Sequence, residues 1–130
     1  MQLSTAIRNA QLDLIESTIG ATAKLYLRTA AAADCAAADA GALLATLTLP
    51  VDWLNDAAGG QKTIKGGPWT GTASGAGTTV AFRVKDNGGT TCGMQGTCGL
   101  GAGELSFDNN NLAVAQNISI TAYTLTAGNA

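Results

Sequence analysis

The hydrophobic period changes once along this 130-residue chain, and that change constrains the fold more than any single residue does. Before Gly20 the apolar positions recur every three or four residues; after it they recur every second residue. Ser4 is a competent N-cap and Gly20 stands where a left-handed C-cap residue belongs, so the spacing predicts a helix over Ser4 to Ile19. Leu3, Ile7, Ala10, Leu14 and Thr18 form its apolar stripe, widened by Leu12 and Ile15. Arg8, Asn9, Asp13, Glu16 and Ser17 occupy the other side. Either the stripe packs on the chain's own domain, or the helix, joined through Gly20, is an arm that docks on a neighbouring subunit. For the second role the candidate contact residues are Leu3, Ile7 and Leu14.

Beyond Gly20 the pattern is that of strands. Ala23, Leu25 and Leu27 alternate with Lys24, Tyr26 and Arg28; Leu43, Ala45, Leu47 and Leu49 alternate with Leu44, Thr46 and Thr48 up to Pro50. The alanine-rich stretch between them reads as a loop with at most one helical turn, because it offers no apolar face. Val51 to Ala58 is expected to make a short helical turn that inserts Trp53 and Leu54 into the core. Brief strands follow near Thr63 and Thr70, between turns at Gly59-Gly60, Gly66-Gly67-Pro68 and Gly75. Val80, Phe82 and Val84 alternate with Ala81, Arg83 and Lys85, and Asp86-Asn87-Gly88-Gly89 turns the chain into a partner strand over Thr90 to Thr97. Leu105 with Phe107, then Ile118, Ile120 and Ala122 against Ser119, Thr121 and Tyr123, complete the series, with a turn at Asn109-Asn110-Asn111. Strands at roughly ten-residue spacing imply a mainly β chain of about seven or eight strands. The expected architecture is an antiparallel β-sandwich or jelly-roll-like domain over 21–130, preceded by one N-terminal helix or arm over 1–20, in a single domain.

Charge and cysteine content then limit function. Seven Lys/Arg against nine Asp/Glu provide no cationic surface, so nucleic acid is not an expected partner. No apolar run approaches the length of a membrane span, and Arg8, Asp13 and Glu16 interrupt any secretory signal, so the chain is expected to be kept in the cytosol or assembled there into something larger, with no membrane partner. In that reducing compartment Cys35, Cys92 and Cys98 are by default free thiols. Along a continuous strand Cys92 and Cys98 would stand about 20 Å apart, so a bridge between them needs Gly93 to Gly96 to fold back, whereas Cys35 could reach either across the fold. With no His and no close ligand pairs, a zinc site is not expected.

Catalytic constellations fail in turn. A serine triad or Cys–His pair lacks its base, and imidazole chemistry near neutral pH is excluded. Asp52 with Asp56, Asp86, Glu104 and Asp108 are the available carboxylates, but they sit beside turn residues, where Asp serves the local backbone. Asp108-Asn109-Asn110 lacks the spaced ligands of a calcium loop, and Gly96 to Gly103 lacks the Lys-Ser/Thr of a phosphate loop. Trp53 and Trp69 read as core anchors or, alternatively, as a sugar platform of a carbohydrate-binding module. No enzyme activity and no cofactor are expected. A chain so rich in Ala, Gly and Thr and so poor in charge suits a domain completed by copies of itself or by a larger lattice.

Several segments carry a resemblance. They are Met1 to Asp13, Asp34-Cys35-Ala36-Ala37, Leu43 to Pro50, Gly89 to Gly96 and Ile120 to Ala127. Together the chain resembles, end to end, a small virion structural protein family of tailed bacteriophages and prophages. Gly93 departs from the bulkier polar residue that the resemblance leads one to expect there. The resemblance implies a capsid decoration, or cement, protein on the outer capsid surface, assembled in the host cytoplasm. Its partners would be the major capsid protein and further copies of itself, a trimer being favoured. The alternative within the same family is a tail or collar component, or a spike that binds a host surface or carbohydrate.

Overall fold

The computed structural model describes residues 1–99, 105–106 and 111–127. The chain is mainly β with one helix. Helix α1 (Thr5–Ile19) starts at Ser4, whose Oγ accepts from the Ile7 amide at 3.3 Å, and ends at Gly20, which takes φ 99°. In chain order there follow β1 (Lys24–Arg28), β2 (Leu43–Thr48), β3 (Gln61–Thr63), β4 (Trp69–Thr72), β5 (Gly77–Thr78) and β6 (Ala81–Lys85). Then come β7 (Cys92–Gly99), β8 (Leu105–Ser106), β9 (Asn111–Leu112), β10 (Asn117–Ile120) and β11 (Ala122–Thr126).

One sheet has the strand order β2-β1-β6-β7-β8-β11-β3, and two small sheets pair β10 with β4 and β5 with β9. Among the described residues all pairs are antiparallel except β7 with β8, which is parallel. A single apolar cluster takes residues from all three sheets: Leu25, Leu47 and Phe82 from the large one, Trp69 and Ile120 from β4 and β10, and Leu112 from β9. Trp53, Trp69, Tyr123 and Phe82 run through it as a chain of tilted and edge-on ring contacts with centroids 5.6 to 6.3 Å apart. Such contacts add about 0.5–1.5 kcal/mol per pair beyond the area they bury.

Two alternations and one expected helical turn differ from the expectation, each for an identifiable reason. Between Leu27 and Arg28 the β1–β2 register slips, so that Leu27 faces Ala45 and Arg28 faces Leu43. The residue between them, Leu44, is bulged out of the pairing and turns into the core, fully buried, while Leu43 turns outward. A second phase change falls at Thr121. Ile118 and Ile120 are buried beside β4, but Tyr123 is buried after the chain passes to β8 and β3. The break between β10 and β11 lets one run serve two sheets. Third, Val51 to Ala58 forms no helical turn, although Trp53 and Leu54 are buried as expected. Its backbone amides are engaged elsewhere, with Asn55 N donating to Thr63 O and others bonded to helix side chains.

Candidate interaction surfaces

The face by which α1 meets the body carries polar groups beside the buried Leu12 and Ile19. Asn9, Asp13 and Glu16 lie three or four apart and therefore share a face. Asn9 Oδ1 accepts from Gly60 N at 2.8 Å, Asp13 Oδ1 from Ala57 N at 3.0 Å, and Glu16 Oε2 from Leu54 N at 2.6 Å. The amides at 54, 57 and 60, three residues apart, meet these acceptors in the reverse chain order, so the helix closes onto the 54–60 segment like a zipper. Lys62, buried on β3, adds an ion pair to Asp13 at 2.8 Å and another to Glu16 at 3.7 Å. Its bond, with that of Ala57, holds the Asp13 carboxyl below its ordinary value. Arg8 donates through Nε and a terminal nitrogen to Ala127 O, which ties the helix to the residue after β11.

The reading in which the whole stripe packs on the chain's own domain is thereby corrected. Leu12 and Ile19 are buried and Ile15 packs against the core, but Ile7 and Leu14 are 51% and 63% exposed. Leu3 is half-buried. The segment that receives the helix presents amide donors and a lysine, so acceptors rather than methyl groups satisfy it. Leu14 opens onto a groove of about 240 Å³ between α1 and β7, floored by Gly93. A Cβ at Gly93 would overlap Ile19 Cγ1, which is why no bulkier residue stands there.

A second built region lies on the opposite side of β1, β6 and β7 from the core. Registers place Tyr26, Arg83 and Gln95 in one cross-strand row, and Arg28, Ala81 and Thr97 in the next, all on one face. The loop over 29–42 covers this face. Arg83, expected to point to solvent, is 5% exposed beneath it. Its donors reach Asp34 O at 2.6 Å, Ala37 O at 2.9 Å, Asp39 Oδ1 at 2.8 Å and Gln95 Oε1 at 3.0 Å. Gln95 in turn donates to Ala32 O. Asp39 also pairs with Lys85 at 3.0 Å and Arg28 at 3.1 Å. The Lys85 bond, then that of Arg83, holds its carboxyl below the ordinary range despite partial desolvation.

Cys35 and Cys92 complete the anchorage as a disulfide between the loop and the start of β7, with Cα atoms 5.4 Å apart. The default of three free thiols is thus replaced by one bridge and one thiol. Cys98 is free and buried, and burial pushes its thiol up to about 12, far from the range of a nucleophile. Periodicity alone does not pair Cys35 with Cys92; the two meet because the loop returns over β6.

Trp53 and Trp69 are fully buried, so neither offers a ring to a sugar, and Trp53 Nε1 donates to Gly20 O. Asp52 pairs with Lys65 at 2.7 Å in the open. Asp86 accepts from the Thr90 and Thr91 amides, which lower its carboxyl, and so belongs to its turn. Glu104, Phe107 and the Asp108-Asn109-Asn110 turn lie outside the described residues, as does the Gly-rich run beyond Gly99. Among the described residues no three metal-ligating side chains converge, and no helix is long and apolar enough to cross a membrane. Compared with family models, curated proteins and solved structures, the chain matches none.

Proposed function

We propose that this chain is a capsid decoration protein of a tailed bacteriophage. In this reading a β-sandwich body, as an oligomer and by preference a trimer, binds the outer lattice of the major capsid protein and stabilises it. The observation that carries the reading is the orientation of α1. The helix is fastened to its own body through polar groups, so Ile7 and Leu14, seven residues and about 10 Å apart along it, remain outward for a partner. The groove beside Leu14 offers a receptacle for a partner's apolar side chain. A contact repeated at every lattice site stabilises the shell by mass action, so a modest surface suffices.

The test uses capsids stripped of the protein. Purified wild type should rebind at a copy number that follows the lattice and raise the capsid's melting temperature. The double variant Ile7→Asp, Leu14→Asp should fold with wild-type stability, within about 0.5 kcal/mol, because both positions are exposed. Rebinding by the variant should be lost. Wild-type binding confined to the neck or tail would overturn the decoration reading in favour of a tail or collar component.

A further inference from the structure

We infer that the cavity under the alanine-rich loop is a binding site for a small carboxylate carried on a short apolar stem. The cavity measures about 140 Å³ and lies between the loop and the outward face of β1, β6 and β7. An engineered apolar cavity of about 150 Å³ takes benzene, so this one has room for roughly six non-hydrogen atoms. Ala30, Ala32, Ala40 and Ala81 line it, and of the other lining residues Ala31 and Thr97 are exposed.

The polar lining defines the ligand. Arg83 and Gln95 line the cavity, but their bonds to Asp39, Asp34 O, Ala37 O, Ala32 O and each other already hold the loop. Arg28 is different. Its terminal nitrogens bond Gly41 O and Asp39, yet its Nε is buried and has no partner among the described residues. A buried donor on a charged group left in that state is costly, and an oxygen acceptor in the cavity would relieve it. Charge favours an anion over a neutral acceptor. The charged residues that line the cavity, Arg28 and Arg83, are both cations, and with Lys85 they share the single carboxylate of Asp39. The alanine methyls then select an alkyl stem of two or three carbons behind the carboxylate. The same chemistry is offered by a free short-chain acid and by the carboxylate at the end of a partner's chain.

Titration of the intact, disulfide-bonded protein with sodium acetate, propionate, butyrate and hexanoate, followed by NMR of the Arg28 Nε–H and alanine methyl resonances, tests the site. Saturable shifts are expected for propionate and butyrate at about 1 mM, with weaker binding of acetate and hexanoate because one underfills and the other overfills the space. Sodium chloride at matched ionic strength should produce no such shifts. Ala81→Val, which fills the cavity without removing a hydrogen bond, and Arg28→Lys, which keeps the charge but lacks Nε, should each weaken binding about tenfold or more. Both variants should retain the disulfide and the wild-type methyl spectrum away from the loop. N-acetylalanine, a blocked residue with a free terminal carboxylate, separates the sources. Hexanoate, with nearly as many non-hydrogen atoms, is the size-matched comparison: tighter binding of N-acetylalanine than of hexanoate assigns the site to a partner's chain end, and equal or weaker binding to a free acid. Absence of saturation by any acid, equal shifts with chloride, or unchanged affinity in Ala81→Val would overturn the inference.

Discussion

At the scale of single residues, the charges that matter are those the fold has taken out of water. Arg83 is the clearest case, because four acceptors converge on it under the loop. Arg83→Met keeps the stem but leaves Asp39, Gln95 and two carbonyls short of a donor. It should cost about 3 kcal/mol in urea unfolding and speed amide exchange across 32–39. The acidic partners set a pH dependence. Asp13 and Asp39 have folded-state values below the ordinary 3.8, so their contribution is fully present above about pH 4 and is lost as pH falls through the folded values. Urea midpoints should therefore drop from pH 5 to pH 3, and Asp13→Asn and Asp39→Asn should each flatten part of that drop. Nothing in the period-2 pattern distinguishes Arg83 from an ordinary solvent-facing residue. The visible sign is indirect: Asp34 and Asp39 are the charged residues of an otherwise apolar alanine loop, and counter-charges are what such a loop needs to cover an arginine.

At the scale of elements, the ends of α1 were legible and its orientation was not. Ser4 and Gly20 bound the helix because capping is local chemistry. Which face turns inward depends on what the 54–60 segment presents, and that is a long-range fact. Leu12 and Ile15, read as the edge of the stripe, are nearer its true centre, whereas Ile7 and Leu14 lie outside. The same reasoning applies to Leu44 and Tyr123, whose burial follows from a bulge and from a strand break that alternation cannot foresee. Helix seating depends in turn on Gly93. Gly93→Ala would drive a methyl group into Ile19, so either the helix C-terminus lifts or Ile19 leaves its rotamer. Destabilisation of about 1–3 kcal/mol is expected, with increased exchange at the last turn of α1. Ile19→Ala in the same chain should recover part of it, a coupling measurable by a double-mutant cycle.

For the whole molecule, the mainly β class follows from composition and period, because turn residues at short intervals leave room for little else. Strand order does not follow, since it depends on β11 lying between β8 and β3. The cross-link between Cys35 and Cys92 belongs to this scale, as it joins two points 57 residues apart in the chain. Closing a loop of that length in the unfolded chain corresponds to about 4 kcal/mol of stabilisation in the chain-entropy account. The aromatic chain and the leucines of β1 and β2 lie on the far side of β6 from the bridge, so they do not depend on it for packing. Reduction should accordingly leave a folded protein with a near-wild-type near-ultraviolet spectrum but a lower urea midpoint, by up to about 4 kcal/mol in stability. The double variant Cys35→Ser, Cys92→Ser should show the same loss and no further change on adding reductant. Cys98, buried and with its thiol held protonated, should resist alkylation in both until the chain unfolds. Rapid alkylation of Cys98 in the reduced native protein would mean instead that the bridge holds the whole body closed, and that the loop and the core are one cooperative unit.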